Sequence, residues 1–305
     1  MKGRLAKEIY GNGVRFVFEL LQNADDNSFR EAEKTKAPPF ILFKVYRDRI
    51  IVDCNEDGFT KSDLDAICSI GSSTKSTRHG YTGAKGIGFK SVFIAAWKVH
   101  IQSRNFSFEF RHRKSDPGLG MVRPIWVNAT ETLEGPLTRM TLYLHNDGDP
   151  SGLQHLRKII FDQLDELQKT CLLFLRRLER IDVESYDEAG HLKKSQRFRK
   201  RHIDADCVSV EKISVEDGIE TIESQIYHLA RRTATGLTPS ESRKLSDQDG
   251  DRDVFTTAEV VLAFPLTDTF RPLIIKEHEV FAFLPVCESD YKVSEGWLPW
   301  LSPLA

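Results

Sequence analysis

Between Ser69 and Gly88 the chain loses its apolar period and becomes rich in glycine, serine, threonine and lysine, with strongly patterned segments on either side. A long loop of this kind inside a compact unit is uncommon and usually functional. The flanking segments must therefore build a scaffold around it. Upstream, Val17, Leu20, Leu21 and Ala24 recur at helical spacing and predict a helix over Val14–Ala24 with one apolar stripe. Phe40–Tyr46 and Arg49–Asp53 read as two strands joined by an Arg47-Asp48 turn. Thr60 with Asp63 three residues on forms a capping box for a helix running to about Ile70. Downstream, the pattern predicts a helix around Phe89–Trp97 and a hairpin of Val99–Ser103 with Phe106–Arg111. Further strands are expected at Val122–Val127 and Leu137–Leu144, with Met140, Leu142 and Leu144 on one side.

A length of 305 residues suggests about two structural units. The second begins near Ser151. Leu153, Leu156, Ile159, Ile160, Leu164 and Leu167 predict an amphipathic helix extending toward Leu178. Strands follow at Ile181–Tyr186, Cys207–Ile213, Glu259–Phe264 and Val280–Leu284, with a polar, mobile loop over Thr233–Asp253. The expected fold is α/β (α+β), a two-layer sandwich over residues 1–150 with helices on one face of a mixed sheet. A smaller α/β extension over 151–285 and a divergent tail at 286–305 complete it.

Hydrophobic residues at 40% can build a sizeable core, and a net charge of −2 carries no bias toward nucleic acid or membrane. No apolar run approaches the roughly 18–20 residues that span a bilayer. The five cysteines are scattered with no C-x-x-C, which suits free thiols in a reducing, intracellular setting, the cytoplasm rather than the nucleus. The basic run Lys193–His202 reads as a solvated hairpin between strands in preference to a nuclear localisation signal or a phosphate-backbone contact, so nucleic acid is not an expected partner.

Two segments carry chemistry. On the first helix Glu19, Asn23 and Asp26 share one face, opposite the apolar stripe. Alone, such a triplet reads as a solvated polar face. In a site, Asn23 can offer an oxygen to magnesium, a hard cation, and Glu19 can act as general base on a water. The second segment is Gly80–Ser91, where Gly83, Gly86 and Gly88 allow close backbone approach before a helix whose N–H groups can face an anion. It is not a P-loop, because Phe89 separates Gly88 from Lys90. Nor is it a Rossmann fingerprint, because no strand leads directly into it.

Glu19-x-x-x-Asn23 on a helix, Asp57-Gly58-Phe59 after a strand, and Gly83-x-x-Gly86-x-Gly88-Phe89 together resemble the GHKL (Bergerat-fold) ATPase superfamily. That group includes the ninety-kilodalton heat-shock chaperones, DNA gyrase B, MutL and sensor histidine kinases. Glu19–Asn27, Ile70–Lys75 and Gly86–Phe93 are closer to its sacsin and NO VEIN branch, and Val261–Leu266 and Phe281–Pro285 look like that branch too. The resemblance implies Mg-ATP binding, slow hydrolysis to ADP, lid closure and a chaperone-like or regulatory action on a protein partner. By it, Glu19 matches the catalytic glutamate and Asn23 the magnesium ligand, with Asp26 nearby in the ATP-binding set. Ser72–Lys75 match the hinge of the lid, with Ser73, Thr74 and Lys75 in the ATP-binding set. Gly83, Lys85, Gly86, Ile87, Gly88 and Phe89 match the phosphate-facing lid and turn. Gly58 belongs to the family's Gly-Phe turn after a strand and to the ATP-binding set, and Thr138 matches the threonine that closes the adenine pocket. The family's adenine-reading aspartate falls on Cys54, a weak acceptor. Asp53 or Asn55 substitutes if the strand end bulges by one residue. The alternative is a nucleotide-sensing interaction module that does not hydrolyse. A histidine kinase ranks low, because no histidine precedes Glu19.

Overall fold

The computed structural model describes residues 16–68, 88–113, 123–129, 131–146, 150–165, 167–236, 258–273, 278–282 and 284–289. In chain order these form α1 (Phe16–Asp25), α2 (Arg30–Thr35), β1 (Phe40–Val45), β2 (Arg49–Cys54) and α3 (Lys61–Cys68). A 3-10 helix (Gly88–Ile94) leads into β3 (Ala96–Ser103), β4 (Phe106–Arg111), β5 (Ile125–Trp126) and β6 (Thr138–Leu144). Then come α4 (Pro150–Asp165), α5 (Cys171–Phe174), β7 (Arg180–Tyr186), β8 (Leu192–His202), β9 (Cys207–Glu216), β10 (Ile219–Ala234) and β11 (Ala258–Leu266). A separate hairpin of β12 (His278–Ala282) and β13 (Leu284–Ser289) follows.

The result is a mixed α/β fold dominated by one eleven-stranded sheet in the order β11-β10-β9-β8-β7-β1-β2-β6-β3-β4-β5. Direct partners in adjacent strands share a face, and successive residues alternate between faces. Ile41, Phe43, Val45, Val52, Leu142, Val99, Phe110, Ile181, Phe198 and Val210 therefore lie on one side. They join Phe16, Leu20 and Leu21 of α1, and Ile160 and Leu164 of α4, in a single apolar cluster. The sheet does not stop near residue 150. Strand β7 pairs in parallel with β1, Ile41 opposite Ile181, so the extension continues the first unit's sheet. Among the described residues no helix is long and apolar enough to cross a membrane.

Several elements differ from expectation. The helix expected over Phe89–Trp97 is a 3-10 helix ending at Ile94, and Trp97 belongs to β3. The strand expected at Val122–Val127 shrinks, within the described residues, to Ile125–Trp126. The helix expected to run toward Leu178 ends at Asp165, followed by the short α5. The backbone N–H groups of Arg176, Arg177 and Leu178 bond to the Asp25 carboxylate and not to preceding helical carbonyls. The basic run is an interior strand, not a solvated hairpin. Gln196, Phe198 and Lys200 of β8 face the helices, while Arg197, Arg199 and Arg201 face the other side. The hairpin turn lies just before it, where Asp187 accepts from the N–H groups of Ala189 and His191. Helix α2 and the long strand β10 have no counterpart in the sequence pattern. Most of the loop expected at Thr233–Asp253, and the end of the tail, lie outside the described residues.

Candidate functional site

Helix α1 buries Phe16, Val17, Leu20, Leu21 and Ala24 and turns Glu19 and Asn23 to a half-buried flank. The Asp26 N–H donates to the Gln22 carbonyl at 3.0 Å, which carries the helix one residue further and leaves Asp26 only 5% exposed. Helix α1 packs against the 3-10 helix that opens at Gly88. Phe93 of that 3-10 helix packs edge-on against Phe110 of β4, with Phe89 edge-on to Phe93 and tilted against Phe110, anchoring it to the sheet. Lys90 reaches back to the end of α3, where its Nζ donates to the Ile67 carbonyl at 2.5 Å. Burial pushes the Lys90 ammonium down from its ordinary pKa, and burial pushes the neighbouring Cys68 thiol up. The described residues on either side of 69–87 are thus tied together. Ser73, Thr74, Lys75, Gly83, Lys85, Gly86 and Ile87, all within 69–87, lie outside the described residues.

At the C-terminal end of β2 the chain turns sharply through Asp57-Gly58-Phe59. Gly58 adopts φ +83°, and a Cβ placed on it would lie 2.6 Å from the Arg104 Cγ. Arg104 is itself tethered, its Nε donating to the Asp57 carbonyl. Gly58→Ala is expected to cost about 1–3 kcal/mol, combining left-handed strain with displacement of Arg104; urea denaturation of the variant measures it. Burial alone would raise the Asp57 pKa, but the Glu31 N–H, Ser28 and Arg30 outweigh it and hold the carboxyl below its ordinary value. The Phe59 N–H donates to Ser103 Oγ at 2.8 Å, and Ser103 Oγ lies 2.6 Å from Thr138 Oγ1. Both hydroxyls are fully enclosed. Cys54 is the direct cross-strand partner of Thr138, as Ser103 is on the other side. Cys54, Ser103 and Thr138 therefore form a neutral polar cluster on the same sheet face as α1.

Neither alternative acceptor joins that cluster. The β2–β6 register runs unbroken from Arg49↔Tyr143 to Cys54↔Thr138, so the bulge needed to bring Asp53 round is absent. Asp53 instead faces the opposite side of the sheet. There Arg139 grips it with two hydrogen bonds of 2.6 and 2.7 Å, and Lys44 lies 3.8 Å away. Asn55 is spent on the chain entering β1: its Oδ1 accepts from the Phe40 N–H at 2.7 Å and its Nδ2 donates to the Pro38 carbonyl at 3.0 Å.

The opposite face also holds His100, buried and 3.0 Å from Ser107 Oγ through Nε2. Burial pushes its pKa down, against the pull of Glu109. A depressed folded-state value means the unfolded chain takes up the proton first. The stabilisation by His100 is therefore present above the ordinary histidine range and lost as pH falls through it toward the lowered folded value. Between about pH 7.5 and about pH 5 the stability of His100→Gln is expected to fall less than that of the parent chain, measured by urea denaturation at each pH.

Sequence reasoning missed Asp25. Its carboxylate accepts from the backbone N–H groups of Arg176 at 2.9 Å, Arg177 at 2.8 Å and Leu178 at 2.9 Å. Below it Lys200, 7% exposed, donates from Nζ to the Leu175 carbonyl at 2.7 Å. Burial lowers the Lys200 pKa, while Asp25 and Glu179 oppose the shift. This clamp fastens the C-terminal end of α1, two residues beyond Asn23, to the extension. No local signal marks it, because Asp25 meets its partners only in the folded chain.

No family model matches the chain. It is similar to Protein NO VEIN of Arabidopsis thaliana. The two are 28% identical over a 301-residue alignment that covers 92% of this chain and 10% of NO VEIN. The chain thus spans about a tenth of that protein's length. Coverage of 92% exceeds what residues 1–150 can supply, so the NO VEIN likeness takes in the extension as well.

Proposed function

We propose that the chain binds Mg-ATP in a Bergerat-type pocket on the helix-bearing face of the sheet and hydrolyses it slowly to ADP and phosphate. The observation that carries this reading is the common face. Helix α1, which carries Glu19 and Asn23 and leads into Asp26, packs against the 3-10 helix opening at Gly88, and Cys54, Ser103 and Thr138 lie on the sheet face that α1 covers, next to the Gly58 turn. The triplet offers only amide and carboxylate oxygens, a donor set suited to a hard divalent cation. Magnesium, when bound, neutralises phosphate charge. Asn23 holds that ion through its amide oxygen, and Glu19, one turn earlier, orients a water and accepts its proton. In this reading the glycine-rich segment between α3 and the 3-10 helix, the lid implied by the resemblance, closes over the phosphates, and the closure is passed to a protein partner.

The test is a calorimetric titration of the chain with ATP, with and without magnesium. Magnesium-dependent binding is expected, weakened at least about tenfold in Asn23→Ala. Full magnesium-dependent binding by that variant rejects the metal assignment. A second reading, a nucleotide-sensing interaction module without turnover, is favoured by one observation. The position that would accept from the adenine amino group carries the neutral Cys54, while Asp53 is held by Arg139 on the other face. Binding without ADP release supports it.

A further inference from the structure

Between α4 and strands β7 and β8, away from α1 and the Gly58 turn, lies a half-open cavity of about 140 Å³. Its polar walls are Asp162 and Asp165 of α4, Ser185 of β7, and Lys194 and Gln196 of β8; Phe161 and Val183 supply apolar wall. Gln196 is only 5% exposed. Its Nε2 donates to Asp165 Oδ1 at 2.6 Å, and because an ionised carboxylate can only accept, this bond fixes the orientation of the amide. The Gln196 Oε1 is consequently an acceptor, and it is buried with no hydrogen-bond partner in the protein. A buried polar atom without a partner is uncommon in a native fold and calls for a physical explanation.

Charge selects among ligands. The Lys194 ammonium is already held by Asp165 at 2.7 Å and Glu216 at 3.4 Å. Asp162, Asp165 and Glu216 outnumber Lys194 and Lys212, whose charge also reaches Asp165, so an anion entering the cavity meets net repulsion. A wholly apolar guest would strip water from Asp165 without returning a hydrogen bond. A donor-rich cation on a short aliphatic stem meets neither penalty. Asp162, Ser185 and Gln196 are acceptors available to its N–H groups, and Phe161 and Val183 are apolar wall for its methylenes. At roughly 30 Å³ per water, the cavity matches the room of four or five waters, enough for such a head group and two or three methylenes.

We infer that the cavity between α4 and β7–β8 is a binding site for an alkyl guanidinium or ammonium group, separate from the pocket proposed for ATP. The head group is carried either by a basic side chain of a partner protein or by a free small amine. The experiment is an NMR titration of the full 305-residue chain with n-propylguanidinium and with its neutral near-isostere n-propylurea. Propylguanidinium is expected to bind in the millimolar range and to shift resonances of α4 and β8, while propylurea leaves them unmoved. Asp162→Asn and Gln196→Met are each expected to weaken binding about tenfold. Asp162 is exposed on α4, so its variant keeps the test valid if Gln196→Met perturbs folding. Equal binding of propylurea, no shifts from either probe, or unchanged affinity in Asp162→Asn overturns the inference. A pentapeptide with a central arginine, compared with its citrulline counterpart and with spermidine, separates the sources. Tighter binding of the arginine peptide identifies a protein side chain, and tighter binding of spermidine a free amine.

Discussion

Glu19→Ala is expected to cut ATP turnover by about 10²- to 10⁴-fold while leaving Mg-ATP affinity within a few-fold of the parent chain. The size follows from removing a general base whose task exists only in the transition state. Such a loss appears in kcat and not in ground-state binding. The structure makes the separation measurable. Glu19 is half-buried on the polar flank of α1, and the stripe that holds the helix in place, Phe16, Val17, Leu20 and Leu21, is untouched by the substitution. The readouts are steady-state ADP release and calorimetric ATP affinity on the same preparation. Unchanged turnover in the variant removes Glu19 from the mechanism. Binding with no turnover in the parent chain transfers the argument to the sensing module.

Asp25→Ala is expected to destabilise the fold by about 3–5 kcal/mol, because three backbone N–H groups lose their acceptor at about 1–3 kcal/mol each. The sum falls short of three full penalties. Arg176 and Arg177 sit at the surface, where water can replace the carboxylate, whereas Leu178 is buried and its N–H stays orphaned. Lys200 adds to the loss, since its buried ammonium gives up a neighbouring negative charge. Asp25→Asn retains one acceptor oxygen and is expected to recover part of the stability. Urea denaturation of both variants measures the effect. A change below about 1 kcal/mol in Asp25→Ala means that the clamp does not hold α1 to the extension.

The elements read correctly from the sequence are those whose causes are local. The capping box of α3 forms as spelled: the Thr60 N–H and hydroxyl both donate to Asp63, and the Asp63 N–H donates back to Thr60 Oγ1 at 3.3 Å. The apolar stripe of α1, the β1–β2 pair and the β3–β4 hairpin follow from period and turn spacing alone. Strand β8 escaped because its alternation is hidden by charge. Lys194 and Lys200 face the helix side along with Phe198, and a lysine on a core face is legible only once Asp165 and the Leu175 carbonyl stand opposite it.

By itself the sequence determined that α1, β1, β2, α3, β3, β4 and β6 form, and which side of α1 is apolar. Those properties depend on neighbours within a turn or two of the chain. Only the tertiary structure decided that Cys54 and not Asp53 stands beside Thr138, because a face is assigned by register against β6 and the partners lie far apart in sequence. Pairing of β1 with β7 likewise joined the two units into one sheet, and Asp25 ended a helix more than a hundred residues away. Each is a long-range hydrogen-bonding choice, made between groups that meet only after the chain has folded.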